Sequence, residues 1–460
     1  MPSTRRDFIR NTGICAATLA TTAAAAGTAP KQSGAPSPAS EVTWRRAVPV
    51  RYECDVAVIG GGIAGATAAL AAAKSGARVI LVERFAIVGG NATVGGVASF
   101  CGETAGQGEA FDAILEGLDA FNAIAPYRPY PQADNRVFDH EILAVVLQEL
   151  LLKRGVKVLL HTRFVDVCIE GGRITECILC GQSGPEALRA NHFIDATGEA
   201  QVAHMAGFET VKGRPEDGLQ LPMSLMFFVR HVADKDARAQ VPEGWFDAIR
   251  DRDDLPMTSI WPNGPRGNAL KIKIPMFDAT DTESMTAAEI QARRRMMEVL
   301  DYYQRVEGKP WRLDHAPARI GIREGRRIIG DYTLTVEDLR AARTFDDAIA
   351  RGVYPLDGHK PDDDKRTYIL PADQRSVPPY QIPFRSLLPR GAANLMAVGR
   401  CLSADQLAMS SARVTTTCAM MGQAAGIAAA LAAQRACTPR DLDPAELRTI
   451  LIQRTANLEL

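Results

Sequence analysis

The sequence predicts an α/β fold in which a doubly wound domain of parallel strands is interrupted by a second, α+β domain. Three observations predict it. A strand, a glycine-rich turn, a helix and a second strand follow one another between residues 54 and 83. A strand that ends in glycine recurs near residues 198 and 399. Between residues 212 and 379 the composition changes, and aromatic residues, prolines and arginines gather. The chain has 460 residues, which is enough for two domains.

The composition is that of an ordinary globular protein. Hydrophobic residues make up 46% of the sequence and charged residues 23%, and the formal net charge is −1. So nearly neutral a chain has no strong attraction for nucleic acid, and we expect no nucleic-acid partner. The cysteines lack the dense spacing of a disulfide framework and the histidines lack the spacing of metal ligands, so we predict no metal site.

Residues 1–40 are interpreted as an export signal followed by a linker. Arg5 and Arg6 precede the apolar pair Phe8 and Ile9, and a run rich in alanine and threonine comes next. This order resembles a bacterial twin-arginine signal. We therefore expect the twin-arginine translocase as a partner during export and a periplasmic or extracellular location. A disordered basic tail is the alternative.

The first glycine-rich turn has the spacing of a dinucleotide-binding site. The strand-like run 54–59 leads into Gly60-x-Gly62-x-x-Gly65. Gly60 permits the tight turn, Gly62 leaves room for a pyrophosphate against the backbone, and Gly65 lets the helix pack closely on the strand. The turn is therefore Rossmann-like, and a glycine-rich turn without a ligand is the alternative.

The helix and the second strand of this unit supply further contacts. The backbone N–H groups of Ile63 and Ala64 lie at the helix N-terminus, where a partial positive charge favours phosphate. The second strand, 78–82, ends at Glu83, 18 residues after Gly65. An acid in this place accepts hydrogen bonds from the adenosine ribose hydroxyls.

Later segments return to the same domain. Strand-like runs end in glycine at Gly198 and at Gly399, and a long alanine- and glycine-rich helix over 415–434 closes the domain. Aromatic residues, prolines and arginines gather between these parts, which predicts an inserted substrate domain. The predicted domains are the export signal and linker at 1–40, the two parts of the nucleotide-binding domain at 50–211 and 380–436, the substrate domain at 212–379 and a C-terminal helical tail at 437–460.

A series of motifs identifies a family resemblance. After the first turn and Glu83-Arg84, the motifs occur in order as Gly89-Gly90-x-x-Thr93, Asp195-Ala196-Thr197-Gly198, Ile322-Arg323-Glu324-x-Arg326-Arg327, Tyr354-Pro355-x-Asp357-x-His359, Tyr380-x-Ile382-Pro383, Asn394 to Arg400 and Gly422-Gln423-Ala424-Ala425-Gly426. Nearly all of the chain from residue 53 to about residue 434 resembles the FAD-dependent oxidoreductases related to succinate dehydrogenase and fumarate reductase flavoproteins. The resemblance implies a glutathione-reductase-like flavoprotein fold with FAD as the cofactor.

The resemblance also implies where each part of FAD lies. Glu83 is expected to hold the adenosine ribose, with Arg84 and the backbone of Val165 beside the adenine. The residues expected along the pyrophosphate, the ribityl chain and the flavin are Gly89, Gly90, Thr93, Ala196, Thr197, Gly198, Gly399, Arg400 and Thr416. Thr416 belongs to a helix N-terminus expected at the flavin carbonyl edge, where it would stabilise an anionic reduced flavin. Packing or surface roles are the alternative for Arg84 and Arg400.

The expected FAD is not covalently attached. Relatives with covalent flavin have a histidine directly before the threonine that Thr93 matches, and this sequence has Ala92 there. Alanine has no nucleophilic nitrogen, so we expect non-covalent FAD.

The electron partner is expected to be something other than NAD(P)H. The sequence has one glycine fingerprint, no second Rossmann half, and no redox-active C-x-x-x-x-C after the fingerprint. We therefore expect hydride transfer between a small polar organic substrate and FAD. Electrons would pass to or from oxygen, a quinone or a small redox protein.

Three residues are candidates for the chemistry at the flavin. Arg323 could hold a substrate carboxylate with its planar guanidinium group, and Arg413 precedes the helix expected at the flavin face. His359 lies in a loop, and its imidazole could titrate near neutral pH. An inter-domain salt-bridge cluster is the alternative for Arg323, and a structural hydrogen bond is the alternative for His359.

Two other functions stay open from the sequence alone. The flavin could serve a reaction without net redox change, as in an isomerase or hydratase. The chain could also be a flavin-binding module for a protein partner. The inserted domain argues against the module, because a carrier needs no enclosed flavin face.

Overall fold

The computed structural model describes residues 42–132, 135–232, 241–263 and 267–460. The predicted export signal and linker at 1–40 lie outside these residues. From Val48 to Leu460 the chain forms one compact unit.

The described residues contain seventeen strands. In chain order they are β1 (Val50–Ile59), β2 (Val79–Val82), β3 (Ser99–Cys101), β4 (Asn135–Val137), β5 (Lys157–Leu159), β6 (Arg163–Glu170), β7 (Arg173–Gly181), β8 (Gly184–Asp195), β9 (Thr210–Val211), β10 (Met223–His231), β11 (Thr258–Pro262), β12 (Gly267–Ile274), β13 (Trp311–His315), β14 (Arg327–Ile328), β15 (Ala348–Gly352), β16 (Tyr380–Pro383) and β17 (Leu395–Ala397).

The same residues contain nine α-helices. They are α1 (Ile63–Lys74), α2 (Glu109–Ala120), α3 (His140–Lys153), α4 (Gln201–Met205), α5 (Thr282–Arg305), α6 (Val336–Arg340), α7 (Gln406–Ala412), α8 (Thr415–Arg435) and α9 (Pro444–Gln453).

Seven strands form the main sheet. β5, β2, β1, β8 and β17 are joined by parallel pairing, each to the next. β7 pairs antiparallel with the first half of β8, and β6 pairs antiparallel with β7. α1 connects β1 to its parallel neighbour β2, so the predicted βαβ unit is confirmed and the sheet is Rossmann-like.

Helices α1 and α8 pack at close range. A side chain at Gly422 would overlap the carbonyl oxygen of Ala64, and a side chain at Gly426 would overlap that of Ala68. Because the contacts advance in the same direction along both helices, α1 and α8 run parallel. Their N-termini therefore point towards the same side of the main sheet.

Helix α8 is the one helix of the described residues with the length and apolar composition of a membrane span. However, 89% of the apolar stretch is buried inside the protein. A core helix of a globular domain has the same composition, so α8 is explained by its packing.

A second sheet packs against α5 and has its own core. Its strand order is β11, β12, β10, β13, and every pairing is antiparallel. The buried apolar residues of this core lie between Met223 and Ile322. Leu334, Ile349 and Leu356 pack instead in the core that includes α1 and α8. The second core therefore ends before residue 379, which the sequence analysis gives as the end of the substrate domain. A segment rich in proline and arginine does not show in its sequence which core it joins.

Candidate active site

A cavity of about 620 Å³ lies at the carboxyl ends of the parallel strands. The turns after β1, β2 and β8 line it, as do the N-termini of α1 and α8. The second sheet contributes Met226 from β10, Trp261 from β11 and Lys271 from β12. Doubly wound folds bind their ligands at this edge of the sheet.

The glycine-rich turn forms an open cradle. A side chain at Gly60 would overlap the backbone of Ala196, and one at Gly65 would overlap the carbonyl oxygen of Gly60, so both glycines serve close packing. Gly62 differs, because an added Cβ would meet no protein atom within 4 Å. Gly62 lines the cavity, and no side chain caps the helix that starts after it. The cradle therefore fits a diphosphate against the turn and the helix N-terminus.

Glu83 is fixed at the wall of the cavity. Its side chain is buried, and its two carboxylate oxygens accept hydrogen bonds from the backbone N–H groups of Gly61 (2.8 Å) and Phe85 (3.0 Å). Each carboxylate oxygen has a second lone pair. Glu83 can therefore accept bonds from ribose hydroxyls without moving.

Three arginines surround a buried carboxylate that the sequence analysis did not select. Glu199 Oε1 lies 2.6 Å from Arg319 Nη2, 3.4 Å from Arg84 Nη2 and 3.9 Å from Arg400 Nη2. Burial opposes its charge, yet Arg319, Arg84 and Arg400 hold the pKa of Glu199 below its usual range. All three arginines line the cavity. Three cations against one carboxylate leave positive charge available for an anion.

The loop after β2 contributes two glycines to the cavity wall, and a threonine on its other side holds its shape. Gly89 and Gly90 line the cavity, as predicted, whereas Thr93 does not. The Thr93 hydroxyl donates to the carbonyl of Val88 over 2.7 Å, so it holds the loop in shape. Ala92 also lines the cavity, which leaves no histidine at this place for a covalent flavin bond.

The other predicted cofactor residues fall into two groups. Val165 is 45% exposed and has no paired residue on β7, because the register of β6 shifts at this position. Val165 does not line the cavity, whereas Arg163 and Phe164 before it do. The Thr416 hydroxyl donates to the carbonyl of Cys101 over 3.0 Å and is likewise off the cavity wall. The predicted residues that do line it are Gly60, Gly62, Ile63, Ala64, Glu83, Arg84, Gly89, Gly90, Ala196, Thr197, Gly198, Gly399 and Arg400.

The three predicted catalytic residues meet at one end of the cavity. Arg413 Nη2 lies 2.7 Å from Asp357 Oδ2, and His359 Nε2 lies 3.0 Å from Asp357 Oδ1. Arg323 Nη1 donates to the carbonyl of Pro222 over 3.0 Å and to the Ser224 hydroxyl. We call the part of the cavity formed by Arg323, Asp357, His359 and Arg413 the charged end.

The uncapped N-terminus of α8 lies at the charged end. Val414 and Thr415 line the cavity directly after Arg413, and no side chain caps the helix. The N-terminus of a helix carries a partial positive charge. A negative charge at this end of the cavity would be stabilised by the helix as well as by the arginines.

The protonation states at the charged end follow from burial and from the neighbouring charges. Burial and the charge of Arg323 lower the pKa of His359 to about 3. Burial opposes ionisation of Asp357, yet the hydrogen bond from His359 and the charges of Arg413 and Arg323 hold its pKa below the usual range. Burial lowers the pKa of Arg323 to about 10, which leaves it charged at neutral pH. The expectation that His359 titrates near neutral pH is therefore wrong.

A neutral His359 has a defined tautomer. Its Nε2–H faces the ionised carboxylate of Asp357, so the proton is on Nε2. Nδ1 then has the free lone pair, and it is buried without a hydrogen-bond partner among the described residues.

Three further residues at the charged end were missed by sequence reasoning. Lys271, Cys101 and Tyr354 line the cavity beside Asp357. Burial raises the pKa of Cys101, and the nearby Cys101 together with burial raises that of Tyr354, so both are uncharged at neutral pH. Tyr354 stood in a motif with Asp357, but nothing in the local sequence around Cys101 or Lys271 distinguishes them.

A Rossmann-like sheet with an open glycine cradle and a charged cavity end defines a dinucleotide-dependent enzyme. Residues 55–451 match the model of the FAD dependent oxidoreductase family, so the chain belongs to that family. The protein is therefore an FAD-dependent oxidoreductase. Its FAD is bound non-covalently, and the cradle and the uncapped helix starts fit that cofactor.

Known proteins are similar to parts of this chain. The thiamine thiazole synthase of Desulfosudis oleivorans is 34% identical over 183 residues, which is 36% of this chain and 67% of that protein. The crystal structure of Thermovibrio ammonificans THI4 is 22% identical, with a TM-score of 0.28, and covers 34% of this chain and 63% of its own. A geranylgeranyl bacteriochlorophyll reductase-like protein from Thermoplasma acidophilum is 14% identical, with a TM-score of 0.44, over 88% of this chain and 84% of that chain.

Proposed function

We propose that this protein is an exported enzyme that transfers a hydride between a small anionic organic molecule and non-covalently bound FAD. The observation that carries the proposal is the charged end, where Arg323, Arg413 and His359 lie beside the N-terminus of α8. Cations and a helix N-terminus attract a substrate carboxylate, and they also stabilise negative charge on a reduced flavin.

In this proposal FAD extends from Glu83 to Val414. Glu83 accepts bonds from the ribose, and the uncapped start of α1 holds the diphosphate. Arg319 and Arg84, gathered around Glu199, add positive charge beside the diphosphate. FAD supplies the two-electron chemistry that side chains lack.

The arginines of the charged end bind and orient the substrate. Arg323 uses Nη1 for Pro222 and Ser224, which leaves N–H groups at Nε and Nη2 for a carboxylate. Asp357 fixes the Nη2 end of Arg413, while Arg413 Nε is buried without a partner among the described residues. A substrate held by two guanidinium groups has a fixed orientation, which lowers the entropic cost of reaching the transition state.

His359 is the proposed hydrogen-bond acceptor for a substrate hydroxyl group. With a pKa of about 3, its imidazole is too weak a base to hold a substrate proton at neutral pH, so it acts through the lone pair at Nδ1. Asp357 accepts the hydrogen bond from Nε2–H and so fixes the orientation of the ring.

The electron partner and the location are further parts of the proposal. One glycine fingerprint and no second Rossmann half support oxygen, a quinone or a small redox protein rather than NAD(P)H. The paired arginines Arg5 and Arg6 support export through the twin-arginine translocase to the periplasm or beyond. Cell fractionation tests this part, because Arg5→Lys with Arg6→Lys should keep the protein in the cytoplasm.

The position of the chain within its family is also proposed from sequence. The ordered motifs between Gly60 and Gly426 support a relation to succinate dehydrogenase and fumarate reductase flavoproteins. The likeness to thiamine thiazole synthases covers about a third of this chain, which is too little to indicate the activity of the whole protein.

Anaerobic mixing of the yellow holoenzyme with a panel of small carboxylates, hydroxy acids and amino acids tests the proposal. At least one compound should bleach the visible absorption of the flavin, and NADH and NADPH should not. Rapid bleaching by NADPH with no response to the panel would contradict the proposal. Conversion of a panel compound only by pre-reduced enzyme, without net use of electrons, would favour an isomerase or hydratase instead.

A further inference from the structure

Strand β12 carries two lysines on the face that turns away from its apolar core. Leu270 and Ile272 are buried in the core shared with α5. Side chains alternate between the two faces of a strand, so Lys271 and Lys273 share the other face. Lysines in a buried part of a sheet require partners for their charge.

The two lysines differ in whether their ammonium groups have a hydrogen-bond partner. Lys273 Nζ donates to the carbonyl of Arg366 over 2.6 Å, so its ammonium group has a partner. Lys271 lines the cavity and makes no hydrogen bond or ion pair with any residue of the described ranges. The charge of Asp357 acts on this ammonium group, but no acceptor among the described residues is hydrogen-bonded to it, so its N–H groups are available to a ligand in the cavity.

The surroundings of Lys271 contain no anion that is free to pair with it. Asp357 is already bonded to Arg413 and His359. The paired residues on neighbouring strands, Met226 and Ser259, are uncharged. The titratable and charged groups that face Lys271 from other elements are Cys101 from β3, Arg323 from the segment after β13, Asp357 and His359 from the loop after β15, and Arg413 from the turn before α8.

We propose that Lys271 is a substrate-binding residue, whose ammonium group binds the anionic oxygen of the substrate together with Arg323 and Arg413, and that binding therefore requires its proton. The inference rests on the proposed function, since it names a third cation of the same substrate site. The ligand class is a carboxylate or an oxyanion of similar size. Three cations and the single carboxylate of Asp357 leave the site with excess positive charge, which such a ligand neutralises.

The titration of Lys271 gives the site a pH dependence. Burial and the charge of Arg323 lower the pKa of Lys271 to about 8. Below that pH the ammonium form is present and binds the anion. Above it the neutral amine predominates, so the affinity for the anion falls by about tenfold for each pH unit. The pKa of Arg323, about 10, lies well above that of Lys271, so Arg323 contributes no such slope around pH 8.

The test uses acetate as the probe, titrated into the FAD-loaded enzyme and followed by the change in the visible flavin spectrum. The titration is repeated from about pH 6 to about pH 9, below the pKa of Arg323. We expect a constant dissociation constant below pH 8 and weaker binding above it. Lys271→Met should weaken acetate binding by about tenfold to a hundredfold below pH 8 and remove the pH dependence.

Two variants make the result specific. Lys271→Arg should keep most of the affinity but lose the pH dependence, since arginine stays charged over the whole range. Lys273→Met is the matched control, because it removes a lysine from the same face of the same strand but outside the cavity, and acetate binding should not change. An unaltered acetate titration in Lys271→Met, or no acetate binding by the parent enzyme, would overturn the proposal.

The acetate titration separates this inference from the proposed function. Acetate binding needs bound FAD as a reporter but no turnover, so it can succeed even where no panel compound reduces the flavin. If substrates reduce the flavin equally fast in the parent and in Lys271→Met, and acetate binds both alike, the proposed function stands and the role of Lys271 fails.

Discussion

The nucleotide end and the charged end of the cavity are built in different ways. At the nucleotide end the backbone forms most of the site, and the glycine cradle, the start of α1 and Glu83 come from one segment between residues 60 and 83. At the charged end the side chains form the site, and Lys271, Arg323, Asp357 and Arg413 come from four separate segments. Local chain geometry fixes the first end, and the packing of two cores assembles the second.

This difference predicts how the two ends respond to substitution. At the nucleotide end, an added side chain either overlaps the backbone, as at Gly60 and Gly65, or enters the space of the cradle, as at Gly62, so changes there act on folding or on FAD binding. The charged end carries more cations than carboxylates, so changes there should act on substrate binding and flavin reduction while FAD stays bound. The two ends can therefore be separated by measuring folding, FAD affinity and flavin reduction in single variants.

The largest effect is expected from Gly65→Ala. The added methyl group would overlap the carbonyl oxygen of Gly60, so we expect little folded, yellow protein, measured by soluble yield and flavin content. Gly62→Ala is the matched control, since Gly62 has a φ of −63° and open space around an added Cβ. It should fold with an unchanged Tm in the FAD-free state and bind FAD about tenfold or more weakly. Unchanged FAD affinity in Gly62→Ala would place the diphosphate away from this turn.

Arg323→Ala tests the division from the charged end. We expect flavin reduction by substrate to slow by about a hundredfold at unchanged flavin content, because a guanidinium group that orients the substrate is lost. Stopped-flow absorbance under anaerobic conditions measures the rate. Arg326→Ala is the control, because Arg326 belongs to the same segment but does not line the cavity. Loss of FAD from Arg323→Ala would break the division between the two ends.

Arg319→Ala should weaken FAD binding and leave the rate of flavin reduction unchanged, the opposite of Arg323→Ala. Its guanidinium group lies at Glu199, in the cluster assigned to the diphosphate, so FAD affinity should fall by about tenfold. Fluorescence titration of the FAD-free protein measures this. Once saturated with FAD, the variant should be reduced at the parental rate. A slower reduction at saturating FAD would assign Arg319 to the substrate site instead.

The smallest effect concerns stability. Lys271→Met removes an unpaired ammonium group from the cavity wall and should raise the free energy of unfolding by about 1 kcal/mol at pH 7. The folded pKa of Lys271, about 8, lies below the unfolded value of about 10.4. Between these values the unfolded chain binds the extra proton, so the parent gains stability as pH rises and the advantage of the variant disappears. Urea unfolding at several pH values measures it, and a variant less stable than the parent at pH 7 would show that Lys271 has an unseen partner.

The two ends also differ in how far the sequence predicts them. The close packing at Gly60 and Gly65 and the position of Glu83 at the cavity wall depend on spacing within one βαβ unit, so the sequence predicts them. Val165 and Thr416 each lie directly after a residue that lines the cavity, Phe164 and Thr415. A motif in the sequence does not fix which of two adjacent residues reaches the cavity wall.

The rest of the site has no local signature. Glu199 and Arg319 are 120 positions apart, and their ion pair exists only in the folded chain. Lys271 could not be recognised because its role depends on having no partner, which is a property of the tertiary structure. The pKa of His359 was misjudged for the same reason, since a loop sequence does not reveal that the side chain is buried beside Arg323.

A crystal structure of the protein with FAD bound tests both ends at once. We expect the diphosphate against Gly62 at the start of α1, the ribose at Glu83, and the flavin ring between Val414 and the charged end formed with Arg323. A flavin ring away from the start of α8, with Arg323 and Lys271 out of reach of its face, would show that the charged end is not the substrate site.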